Sequence, residues 1–141
     1  MSIASAIGSI AFASTVVLYV GIASGETDAT FRQRVVGQWR EYRLIDCEGH
    51  ENNINIRADG SFEVLGTIFA CDRKTPFTWR GTWRIEKGQF IYTTTFSDPL
   101  DQFPVGETLS DKILSITSKD WVMVEESTGK RSLATRVQRK K

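Results

Sequence analysis

The sequence predicts an all-β domain, an antiparallel up-and-down barrel of about eight strands, preceded by one N-terminal transmembrane α-helix. Three observations carry this. None of the 18 Lys and Arg or 17 Asp and Glu residues occurs before Glu26. In Phe77-Thr78-Trp79-Arg80-Gly81-Thr82-Trp83-Arg84-Ile85, side chains alternate with period two. Phe77, Trp79, Gly81, Trp83 and Ile85 share one face, and Thr78, Arg80, Thr82 and Arg84 the other, the pattern of a half-buried strand. Further short aromatic and β-branched runs follow at regular intervals with turn residues between them.

Residues 1–25 form the first element. A charge-free run of this length makes a helix of roughly 36 Å, enough to cross a hydrocarbon core of about 30 Å. Ser5, Ser9 and Ala13 recur at four-residue spacing, as do Ala4 and Gly8. Small residues on one helical face admit a second transmembrane helix, so an integral membrane protein complex is the expected partner. A cleaved signal is the alternative. Ala23-Ser24-Gly25 supplies small residues after an apolar stretch, but the basic segment that opens a signal is missing. Residues 26–34 read as a polar tether, and residues 35–141 as one domain, long enough for a single core.

Arg32, Arg34 and Arg40 just beyond the apolar run favour a cytoplasmic domain by the positive-inside rule. Cys47 and Cys71, the two cysteines, favour an oxidising compartment. They fall just past the first and third strands, which run the same way in a meander and end on one rim. The preferred placement is a single-pass protein of a bacterial inner membrane with its domain in the periplasm and these cysteines bonded. Placement on the cytoplasmic side, or secretion after cleavage, stays open.

Strands are expected over 35–45, 53–57, 61–70, 77–85, 89–96, 112–116, 121–125 and 132–137. Ala58-Asp59-Gly60 and Lys87-Gly88 make tight turns, and Ser118-Lys119-Asp120 and Ser127-Thr128-Gly129-Lys130 separate the last three strands. A meander of this kind exposes two edges unless it closes, and a barrel removes them; an open sandwich is the alternative. A formal net charge of +1 with both signs interspersed gives no footprint for nucleic acid. The basic end, Arg136, Arg139, Lys140 and Lys141, could touch anionic membrane lipid.

Gly37-Gln38-Trp39 resembles the G-x-W motif that opens the first strand of lipocalins. Asp59-Gly60-Ser61-Phe62 and Gly81-Thr82-Trp83-Arg84-Ile85 are similar to small bacterial lipocalin-like domains, and Ala134-Thr135-Arg136 resembles their last strand. The resemblance implies that Gly37, Trp39 and Arg136 close one barrel end, the guanidinium lying across the indole. It also implies a small apolar ligand, although the short chain and absent C-terminal helix pattern point to a filled barrel with little cavity. Small periplasmic inhibitors of bacterial metalloproteases are similar in their G-x-W-like start and in the placement of Cys47 and Cys71. For them the stretch before the barrel is an arm that enters the protease cleft.

Catalytic chemistry finds little support. His50, in Asp46-Cys47-Glu48-Gly49-His50-Glu51-Asn52, is the one histidine, and a polar hairpin loop accounts for that composition. No metal site, cofactor or catalytic residue is expected, and Glu125 and Glu126, adjacent on a strand, point to opposite faces. The long connection after the fifth strand carries Leu100, Phe103 and Val105, apolar residues suited to a lid, a partner contact or a cover over an open end. The leading expectation is a non-enzymatic, membrane-anchored accessory subunit whose barrel covers extramembrane surface. A binding protein for a small apolar ligand and a protease inhibitor are the alternatives.

Overall fold

Each strand pairs antiparallel with its neighbour in sequence, and the last returns to the first, closing an eight-stranded barrel. The computed structural model describes residues 26–99 and 103–139. The strands are β1 (Gly37–Ile45), β2 (Glu48–Ile56), β3 (Ser61–Ala70), β4 (Arg73–Glu86), β5 (Gln89–Asp98), β6 (Thr108–Ile116), β7 (Asp120–Glu125) and β8 (Arg131–Arg136). Alternation in β4 is as read from the sequence. Phe77, Gly81 and Ile85 are buried and Arg80, Thr82 and Arg84 exposed; between Arg80 and Gly81 the register with β5 shifts by one residue, Thr95 being the extra one. The expected membrane helix, with Ser5, Ser9 and Ala13, lies outside the described residues. Among the described residues no helix is long and apolar enough to cross a membrane.

Three expectations are corrected. The stretch read as a tether carries instead a helix, α1 (Asp28–Val35), which closes one barrel end. Thr27 caps it, its hydroxyl accepting from the Thr30 N–H at 3.3 Å. Phe31 and Val35, one turn apart, turn inward and are buried. The Asp28 carboxylate accepts the backbone N–H groups of Gly88 and Lys87, each at 2.9 Å, tying the helix to the β4–β5 turn. These bonds hold its pKa below the usual aspartate value. Second, the polar stretch after Cys47 is strand. The turn is Asp46-Cys47, with Asp46 at φ 57°, and nine β1–β2 pairs run from Ile45↔Glu48 to Gly37↔Ile56. Its polar residues, among them His50 and Asn52, line the open end of the cavity.

Third, the barrel is not filled. Its largest fully buried side chains, Trp39, Trp121, Ile85, Ile116 and Val35, gather at the end that α1 covers. Toward the other end the inward positions hold smaller or polar groups, including Gly66, Asn52 and Glu41, and leave open space. A Cβ on Gly66 would sit 2.2 Å from the Phe77 ring, so glycine here lets that ring cross the wall. Trp83 is also less central than its pattern suggests. It is partly buried, its indole N–H donating to the carbonyls of Arg57 (3.0 Å) and Ser61 (3.1 Å).

Candidate functional site: the barrel interior

Trp39 and Arg136 meet at the end that α1 covers. The Arg136 guanidinium lies 4.1 Å from the centre of the Trp39 ring. It donates to the Val36 carbonyl at 3.0 Å and to the Arg34 carbonyl. The Trp39 N–H donates to the Val35 carbonyl at 2.8 Å, and its ring meets Trp121 edge-on at 5.7 Å. Gly37 has φ 140°, and a Cβ there would come within 2.5 Å of the guanidinium, so glycine is required beside the plug. These three residues are structural: they seal the floor of what lies above.

Above that floor is an open cavity that, together with its mouth and the groove between β1 and β8, has a volume of about 1790 Å³. Its deep wall is aromatic. Phe62 meets Trp79 edge-on at 5.0 Å and Tyr92 at 6.3 Å, while Phe90 packs against Trp121 at 4.9 Å. The loop after β5 contributes one cover. Phe103 stacks on Trp79 at 4.2 Å and 9°, and buried Ser97 fixes it by accepting the Phe103 N–H at 3.2 Å. Val105 does not join it and is 59% exposed; Leu100 lies outside the described residues. Of the three apolar loop residues, then, Phe103 alone is seen lining the interior.

The cavity is polar toward the rim. Glu41 faces His50, Oε1 to Nε2 at 3.2 Å, without the angles of a hydrogen bond, and accepts from the Asn52 amide at 3.3 Å. Asp111 sits on β6 directly opposite Glu125 of β7. It is 9% exposed, and its Oδ1 has no hydrogen-bond partner among the described residues. Burial, then the nearby Glu125 carboxylate, push its pKa up to about 6, opposed by the Tyr92 hydroxyl beside it. Burial and the Asp111 charge in turn push the Tyr92 hydroxyl upward. Sequence reasoning missed Glu41, Tyr92 and Asp111. The inward parity of Tyr92 and Asp111 was available, but the start of β6 was placed four residues late, which left Asp111 in a loop.

The mouth continues sideways. β1 and β8 pair at only two positions, Trp39↔Arg136 and Arg40↔Thr135, and diverge toward the rim. The cavity opens through this gap onto Tyr42 and Leu133, each 54% exposed, and Val137, 43% exposed. At the rim itself Cys47 and Cys71 are joined in a disulfide that ties the β1–β2 turn to the β3–β4 turn. Among the described residues no group of three His, Cys, Asp or Glu side chains is placed to hold a metal ion.

Asp111 gives the fold a pH dependence. A carboxyl whose folded pKa is raised stabilises the fold when protonated. That contribution is complete below the unfolded value of about 3.9 and is lost as pH rises through about 6. Asp111→Asn is therefore expected to be more stable than the parent by about 1–2 kcal/mol at pH 7.5, allowing for partial solvent screening. The two proteins should converge near pH 4. Urea unfolding at both pH values checks this, and an equal difference at both would contradict it.

No family model matches the chain, and no curated protein matches it. Solved structures similar to it include the following two. One is a lipocalin-like protein from Bacteroides uniformis, 16% identical, with a TM-score of 0.48, covering 74% of this chain and 99% of that one. The other is an uncharacterized protein from Bacteroides eggerthii, also 16% identical, with a TM-score of 0.47, covering 72% and 98%. The likeness is one of fold, and the barrel itself rests on this chain's own strand pairing.

Proposed function

We propose that this protein binds a small, largely apolar molecule inside its barrel. The observation that carries the proposal is the cavity of about 1790 Å³, floored by the Trp39–Arg136 plug and walled by Phe62, Trp79, Tyr92 and Phe103. Ligand sites are commonly concave, largely preformed and mostly apolar, with a few placed polar groups, and this interior has each property. The preference for an accessory subunit depended on residues 1–25 and on a filled barrel. The open interior removes the second support and moves the preference to binding. The inhibitor reading needs an extended arm, whereas α1 is folded against the barrel floor.

In this proposal the domain works outside the cytoplasm, held near a membrane by residues 1–25; the Cys47–Cys71 bond supports an oxidising compartment. Purified protein should carry or accept a ligand. A panel of apolar compounds in a thermal-shift assay is expected to yield at least one saturable rise in melting temperature. Ligand at about 100 times its Kd adds about 2.7 kcal/mol of stability. If a bulky residue at Gly66 left such a shift unchanged, or if no compound produced one, the interior would not be the binding site.

A further inference from the structure

We infer that the ligand of this cavity carries a positive charge: an organic ammonium with an apolar body, its charge received by Asp111, Glu125 and Glu41 and its body by the aromatic wall. The inference rests on the binding reading above and adds the ligand's chemical class. Asp111 is nine-tenths buried, lines the cavity and has an Oδ1 that no described donor reaches. A buried carboxylate oxygen left without a donor costs free energy that a cationic hydrogen-bond donor would recover, even with the Tyr92 hydroxyl beside the same carboxylate. The charges acting most strongly on it are again carboxylates, those of Glu125, Glu41 and Glu126.

Basic side chains at the mouth do not reverse this. Arg40 pairs outward with Glu51 at 2.7 Å, and Arg136 is held over Trp39 by two backbone carbonyls. Arg43, Lys130 and Arg131 border the mouth, where an anionic ligand would have to place its charge. The acidic groups come from the paired strands β6 and β7 and, across β8, from β1, and so line one side of a space of molecular size rather than ring one ion. Trp79 and Tyr92 line the same space, one face of Trp79 being covered by Phe103, and aromatic rings of this kind attract ammonium groups through their quadrupoles.

The test is calorimetric titration of the full chain with three probes sharing one bicyclic body: 1-naphthylmethylamine, 1-naphthylmethanol and 1-naphthoate. The amine is expected to bind at least about tenfold more tightly than the alcohol, and the naphthoate more weakly than either. Asp111→Asn should weaken the amine about tenfold or more while leaving the alcohol unchanged, and Glu125→Gln should act in the same direction. Glu86→Gln, on the exposed end of β4, should change neither. Equal binding of amine and alcohol, tighter binding of naphthoate, or an Asp111→Asn variant that holds the amine as the parent does would overturn the charge assignment. In those cases the cavity remains a binding site. Failure of all three probes would remove both readings.

Discussion

Trp39→Ala is expected to lower the unfolding free energy by about 4–5 kcal/mol, the largest loss from any single side chain in the barrel. Removing a large buried ring costs about 3–5 kcal/mol, and Trp39 is 0% exposed. Its loss also leaves the Val35 carbonyl without its 2.8 Å donor and the Arg136 guanidinium without the ring it covers. Domains of this size have about 5–15 kcal/mol in total, so the variant would stand near the limit of folding. Trp83→Ala, at a partly buried ring, should cost about half as much. Arg80→Ala, on the outer face with a half-exposed ion pair to Glu63, should cost no more than about 0.5–1 kcal/mol. Urea unfolding of the three variants gives the order. A Trp39→Ala loss under about 1 kcal/mol would mean that the plug does not hold the floor.

Replacing both cysteines with serine should cost roughly 3 kcal/mol. The bond closes a loop with a sequence separation of 24, and the chain-entropy treatment assigns roughly that value to a ring of this size. The floor is far from this bond, so the helix α1 contacts should survive and the loss should appear as earlier unfolding of the rim. Labelling of the denatured, non-reduced parent should find no free thiol; two labelled thiols would remove both the bond and the argument for an oxidising compartment.

The barrel was legible because strand information is local. Period-two alternation at residues 77–85 and glycine turns at Gly60 and Gly88 each act within a few residues, and the eight expected strands match the eight observed. Gly37, Trp39 and Arg136 were legible for a different reason, since a motif names them. The helix α1 was missed because only Phe31 and Val35 mark its apolar side, too few for a period over eight residues. The polar part of β2 reads as loop because its hydrophobic alternation is absent: Glu48, His50, Glu51, Asn52 and Asn53 put polar side chains on both faces. The acidic interior was legible only in part. Asp111 and Glu125 are paired on neighbouring strands, where parity can be read, whereas Glu41 joins them only through closure of β1 on β8, and nothing local marks a buried carboxylate oxygen that will lack a donor.

The two-pair joint between β1 and β8 bears on how the chain is made. Val36 and Arg136, which meet there, are 100 residues apart in sequence, so the ring of strands cannot shut until β8 has been synthesised. During translation, at about 5–20 residues per second, β1 to β7 must wait as an open sheet with unpaired edges, a state prone to pairing with other copies. A chain shortened by even its final strand would be left permanently in that state. The yield of soluble protein should therefore fall steeply once β8 is removed.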